Sequence, residues 1–250
     1  MLAFVCLLVG LAGFVDASAG GGGIIALPAY VFTGMPAHFA LGCNKFSSAC
    51  GTTLSVFKFW KAGAVNIRSS LLAAFSSFIG SAIAASIVLK IPDHLVKTML
   101  LLILPVAAGA IFLKKDMGEA AFSHSLSRRA TLLLSLLIGF LVGGYDGMFG
   151  PGAGTFAIFA FSSIMKYDLK TASGNAKIVN LASNYASLLT FALAGTLYYQ
   201  IAIPAGICNI IGNYIGSAYA LREGGKFIRP MMIVVLIFLL AKITFDLFSI

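Results

Sequence analysis

Two lysines stand in contexts that lysine normally avoids. Lys45 lies within "ALGCNKFSSACGTTLSVF" and Lys177 within "TASGNAKIVNLASN", runs of mainly small and apolar residues. A charged side chain at membrane depth is costly and faces a cavity or a partner. At about 3.6 residues per turn, Lys45, Ser48 and Thr52 share one helix face, with Asn44 beside them. Lys177, Asn180 and Asn184 form a matching stripe, with Ser173 behind it. An ammonium group flanked by amides and hydroxyls suits a hydrophilic anion. A single such lysine is also explained by snorkelling from a membrane end. Its duplication, each time with polar neighbours, favours a shared site.

Two glycine runs accompany the lysines. "VDASAGGGGII" carries Gly20, Gly21, Gly22 and Gly23. Three readings compete for it: a signal-peptidase site at Ala17-Ser18-Ala19, a phosphate-cradling loop, or a break in a transmembrane helix. The segment ahead of it, "MLAFVCLLVG", lacks the basic n-region of a signal peptide. No Lys follows the glycines as a Walker A loop requires. The pattern also recurs in mid-chain, where a cleavage site has no place. "GFVDASAGGGGI" aligns without gaps on "GGYDGMFGPGAG", setting Gly13, Asp16, Gly20 and Gly22 on Gly143, Asp146, Gly150 and Gly152. A helix break leaves backbone N–H groups unpaired at the positive end of the next helix dipole. Glycines let that backbone approach a ligand, and such ends hold anions. Candidate substrate contacts are therefore Gly20 to Gly23, Gly150, Gly152, Gly154 and Thr155, with the two lysine stripes. Tyr145, Asn209 and Asn213 are further cavity candidates. Spacings such as Gly139/Gly143 and Gly212/Gly216 read instead as close helix packing.

Asp16 and Asp146 would repel an anion if ionised and unpaired. Three roles are open to them: pairing with lysines or freed amides, capping the break, or binding protons coupled to transport. Pairing or capping ranks first.

Composition sets the surroundings. Of 250 residues, 60% are hydrophobic and only 10% charged, against about a quarter charged in soluble domains. The mean hydropathy is +0.99. The net charge of +9 fits basic cytoplasmic loops rather than nucleic-acid binding. Cys6, Cys43, Cys50 and Cys208 have no metal-ligand spacing, and neither do His38, His94 and His124. No nucleophile–base set is present, so neither an enzyme nor a cofactor is expected.

The echo extends to "ALGCNKFSS" against "ASGNAKIVN" and "FIGSA" against "YIGSA". The expected fold is an all-α polytopic membrane protein of two homologous halves, 1–114 and 129–250, joined by a cytoplasmic linker at 115–128 into one membrane domain. Each half has a short segment (2–16; 131–147), a glycine break, a second short segment (23–34; 154–165) and three longer ones. The longer ones are 37–60, 69–90 and 95–113, then 170–195, 203–221 and 228–248. The second short segments, about 18 Å as helix, are too short for a core of about 30 Å. They either cross in part or re-enter. Basic residues crowd 58–68 and the linker in half one, but 166–170 and 222–229 in half two, while 195–203 carries no charge. Equivalent loops thus fall on opposite sides: the halves are inverted repeats and both termini face outside. The 90–97 connection, with Lys90, Lys97 and Asp93, is the exception. Leu2–Val15 is brief for a first helix, as in a shortened amino terminus.

At these residues the chain resembles the TauE/SafE (TSUP) family. "GFVDASAGGGG", the following Pro28, Asn44-Lys45, "GGYDGMFGPGAGT" and "NAKIVNLASN" carry the likeness. It covers nearly the whole chain and comes closest to the YfcA-like branch of bacterial inner-membrane proteins. The resemblance implies a permease for small sulfur-containing anions, such as sulfite, thiosulfate or sulfonates like sulfoacetate, linked to protons and often directed outward. Inverted repeats with paired glycine breaks point independently to a secondary transporter. The expected function is alternating-access transport of a small anion across the lipid bilayer. An anion channel, or a cation permease using Asp16 and Asp146 as ligands, is the alternative.

Overall fold

The outer helices carry their bulky side chains outward. Leu133, Leu137 and Leu141 are exposed at four-residue spacing, as are Ile203, Ile207 and Ile211. Serines and alanines such as Ser77, Ser81, Ala84 and Ala85 are buried instead. This suits a chain whose solvent is hydrocarbon, where small residues let helix backbones approach. The computed structural model describes residues 1–96, 98–99 and 126–234.

The first four helices are α1 (Leu2–Ala19), α2 (Gly23–Val31), α3 (Ala37–Lys61) and α4 (Ile67–Val88). The second four are α5 (Arg128–Met148), α6 (Ala153–Phe159, continued as a π turn over Ala160–Ile164), α7 (Leu169–Leu193) and α8 (Tyr199–Glu223). α1, α4, α5 and α8 are long and apolar enough to cross a membrane. α3 and α7, at 25 residues each, are long enough but carry the polar stripes. Their polar side chains are sheltered by the other helices. Residues 93–96, 98–99 and 225–234 are also helical. The remainder of the expected segments 95–113 and 228–248, most of the linker and the carboxyl terminus lie outside the described residues.

Helices pack mainly on the other half. α4 lies along α5 and α8 along α1; α3 packs on α8 and α7 on α4; α3 and α7 meet centrally. Exchanging α1, α3 and α4 for α5, α7 and α8 reproduces this set of contacts. The loop after α3 meets the start of α7, where Asn66 N–H donates to Asn175 Oδ1 at 2.8 Å. The loop after α7 meets the start of α3, where Phe39 stacks on Tyr198 with ring centroids 4.3 Å apart.

Both glycine breaks make hairpins. A Cβ at Gly22 would fall 2.4 Å from the Ala12 carbonyl oxygen, so the chain doubles back on α1. In the second half Ser135, two turns into α5, reaches Met165 Sδ at 3.9 Å, so α6 returns to where α5 began. The chain doubles back at both breaks, and the first break comes later than the sequence suggests, because α1 runs through Asp16 to a left-handed Gly20. One end of the bundle gathers Lys61, Arg68, Arg128, Arg129, Lys166, Lys170 and Arg222, beside the termini of α3, α4, α5, α7 and α8. Side-chain caps begin α4, α5 and α7 at that end: Asn66, Ser127 and Asp168. At the other end Asp93 accepts from the Ala37 N–H, tying the chain beyond α4 to the start of α3.

The packing glycines allow a sharp test. A Cβ at Gly143 would stand 2.4 Å from the Ser77 carbonyl oxygen, whereas one at Gly144 meets only the Gly80 oxygen at 3.9 Å. Gly143→Ala is expected to lower stability by about 1–3 kcal/mol. Gly144→Ala is expected to be neutral or to gain up to ~1 kcal/mol from helix propensity. Thermal unfolding of detergent-purified protein compares the two.

Candidate functional site

The two breaks touch. A Cβ at Gly20, with φ +77°, would lie 2.3 Å from the Gly154 carbonyl carbon, and one at Gly154 would lie 2.5 Å from Gly20 Cα. Only glycine at both positions permits this approach. Thr155 Oγ1 donates to the Ala19 carbonyl at 2.8 Å, fastening the start of α6 to the end of α1.

Each lysine then crosses to the aspartate of the other half. Lys45 Nζ lies 2.8 Å from Asp146 Oδ1, and Lys177 Nζ lies 3.2 Å from Asp16 Oδ2. These side chains are buried, Asp16 the least, at 17% exposed. Pairing is therefore the role the geometry gives the two aspartates, since neither carboxylate caps α2 or α6. An isolated ion in such surroundings would lose several kcal/mol of hydration, which the partner offsets.

The pairs are not equivalent. Lys45 also donates to Asn184 Oδ1 at 3.4 Å, and Asp146 accepts from the Ser183 hydroxyl on its second oxygen. Lys177 also donates to the Asp16 carbonyl oxygen, near the end of α1. Lys177 and Thr155 thus occupy carbonyls at the negative end of α1. At the start of α2, beside them, the N–H groups of Ile24, Ile25 and Ala26 are taken up by the Gly21 and Gly22 carbonyls. The position equivalent to Ser183 is Gly51, where a Cβ would collide with Asn209 Oδ1 at 2.0 Å.

A small cavity of about 20 Å³ lies between the breaks. Its lining is Asp16, Gly20, Gly23, Asn44, Lys45, Ser48, Asp146, Gly150, Gly154, Asn180 and Asn184. Residues from both sequence motifs thus converge. The other candidates lie elsewhere. Gly21 is in the turn, Gly22 packs on α1, Gly152 is the left-handed start of α6, and Thr155 bonds to Ala19. Thr52 Oγ1 is buried without a hydrogen-bond partner and is not part of the cavity lining. Lys177 faces α1 rather than the cavity. Asn209 and Asn213 are joints between helices: Asn209 donates to the Val9 carbonyl and Asn213 accepts from Ser55. Tyr145 hydrogen-bonds the Pro151 carbonyl at 2.7 Å and steadies the second break. Two cavity amides, Asn44 and Asn180, have carbonyl oxygens without a donor. Ser183 is the functional neighbour that sequence reasoning misses, although it stands beside Asn184 on the same stripe.

These features define a polytopic membrane protein with a polar centre built from two broken helices. The comparisons agree. Residues 5–243 match the family described as "Sulfite exporter TauE/SafE". The chain belongs to that family. It is 34% identical over 237 residues to a "Probable membrane transporter protein" of Haemophilus influenzae, covering 94% of this chain and 91% of that one. It is 33% identical to "Probable membrane transporter protein YfcA" of Escherichia coli K12, covering 94% and 87%. It is 30% identical to "Probable membrane transporter protein ORF9" of a Sinorhizobium species, covering 98% and 93%. No solved structure matches the chain. The family and its relatives make this a membrane transporter.

The buried Lys45–Asp146 pair gives a stability test. Lys45→Met leaves Asp146 unpaired and is expected to destabilise by about 3–5 kcal/mol. Adding Asp146→Leu is expected to restore most of the loss, as read by unfolding of both variants.

Proposed function

We propose that the protein is a secondary transporter that moves a small oxyanion, of the sulfite, thiosulfate or organosulfonate class, by alternating access. The observation that carries this is the meeting of two glycine breaks at one polar cavity between the halves. The four formal charges of the site, two lysines and two aspartates, cancel. What remains is the positive start of α2 at Gly23, the start of α6 at Gly154, and three amide side chains. That balance favours an anion. Occupation of the carbonyls at the end of α1 by Lys177 and Thr155 strengthens it.

The two halves act on this reading as inverted repeats. Support comes from the equivalent loops after α3 and α7, each of which meets the start of the other long helix. The basic end is the cytoplasmic one by the positive-inside rule. The amino terminus then faces the periplasm of a bacterial inner membrane. Rocking of one half against the other would open the cavity to each side in turn. Both carboxylates are engaged by ammonium groups, which argues against their serving as ligands of a cation permease. Whether protons couple to transport through Asp16 or Asp146 is a part of the proposal that the same assay addresses.

Purified protein in liposomes is expected to take up sulfite, thiosulfate or a sulfonate, and Lys45→Ala to reduce uptake to background. Uptake faster at an imposed proton gradient would add coupling. Unitary currents in a planar bilayer would mark a channel instead. Normal uptake by Lys45→Ala would overturn the assignment of the site.

A further inference from the structure

We infer that Asp146 is a built-in stand-in for the transported anion: it holds Lys45 while the site is empty and yields that ammonium when the anion arrives. The inference rests on the transport reading above and assigns one residue's task within it.

Four observations carry it. Lys45 is the one ammonium among the cavity-lining residues, because Lys177 is turned to the end of α1. That ammonium is already neutralised at 2.8 Å by Asp146. The cavity is small, about 20 Å³, and the intact pair forms part of its wall. An anion placed there would also face the Asp146 charge directly, and like charges at such range repel. The pair must therefore open for an anion to bind Lys45.

The site is furnished for that opening. Asp146 Oδ2, the oxygen away from Lys45, accepts from Ser183, so the carboxylate keeps a donor when the lysine leaves. Asn44 and Asn180, 3% and 5% exposed, have side-chain oxygens with no donor. A buried amide without a full set of partners is unusual. A half-turn of either amide presents its NH2 group where its oxygen had been. Both can thereby add donors to an anion on Lys45.

The stand-in has a consequence for the transport cycle. With Asp146 on Lys45, the empty carrier holds no unpaired charge and can return without cargo. Without Asp146, the empty carrier would have to move a buried, uncompensated ammonium, which low-dielectric surroundings oppose. Such a carrier returns only when loaded, and so exchanges anions but does not release them net.

The test is carried out in liposomes loaded with radiolabelled thiosulfate. Net efflux into anion-free buffer is compared with efflux into unlabelled thiosulfate. Wild-type protein is expected to perform both. Asp146→Asn is expected to lose net efflux by about tenfold or more, keep exchange, and bind thiosulfate about tenfold tighter, because no internal anion competes. Loss of exchange together with net efflux, or an unchanged affinity, overturns the inference alone. Should Asp146→Asn fail to fold, Ser183→Ala keeps both charges. It is expected to weaken thiosulfate binding several-fold by removing the resting place of the displaced carboxylate, and an unchanged affinity again overturns the inference. Wild-type protein inert in both modes toward thiosulfate, sulfite and a sulfonate overturns the transport reading and this inference with it.

Discussion

Two backbones meet at Gly20 and Gly154 with no room for a single Cβ on either side. This contact fixes where α1 must end and where α6 must begin. It also sets how far each hairpin enters the bundle, since α2 and α6 start from the turns at the contact. Backbone exposed at membrane depth is tolerated only where protein or a polar cavity surrounds it. The breaks satisfy that condition by covering one another. Thr155 closes the joint from one half, and Lys177 reaches the end of the same helix from its place on α7.

The charges follow from the same constraint. A lysine buried in a hydrocarbon-facing bundle needs its partner within reach, and here each partner comes from the opposite half. The ion pairs therefore act between halves as well as within the site. The packing of α4 on α5 and of α8 on α1 does the same with small residues. Gly143 on Ser77 and Gly216 on Phe14 bring backbones within a distance that larger residues forbid. α3 and α7 can be the least apolar of the long helices because they lie between the others. Their serines and asparagines bond to protein rather than face lipid, as Ser55 does to Asn213 and Ser187 to Ser81.

Much of this was legible in the sequence because duplication marks it. Asp16 and Asp146, Lys45 and Lys177, and the two glycine runs stand out by recurring, and seven of the residues so marked line one cavity, with four polar neighbours of the lysines. The partner of each charge was not legible. Lys177 and Asp16 are 161 residues apart, and only the tertiary fold joins them. Nor does composition show that the chain turns back after α1, which has 18 residues and ample hydropathy for a span. Its path is decided by Gly22 folding against Ala12, a contact with no sequence signature. Asn209 and Asn213 read as cavity groups because polar residues in apolar helices usually mark sites. Here they bind helix to helix. Ser183 escaped notice for the converse reason, since serine is an ordinary packing residue in membrane helices.

The departures from symmetry are as informative as the repeat itself. Position 183 is serine in one half, and its counterpart at position 51 is glycine. Gly51 leaves space that the Asn209–Asn213 joint fills, so Asp16 has no hydroxyl waiting for it. Its lysine is bound to a backbone carbonyl as well as to the carboxylate and is thereby fixed. Asp146 has Ser183 as a second partner, and Lys45 faces the cavity. Two equivalent pairs would offer an anion two competing positions and no single centre. On the transport reading proposed above, one fixed pair and one exchangeable pair would give a single binding position, held in place by the other half of the same charge network.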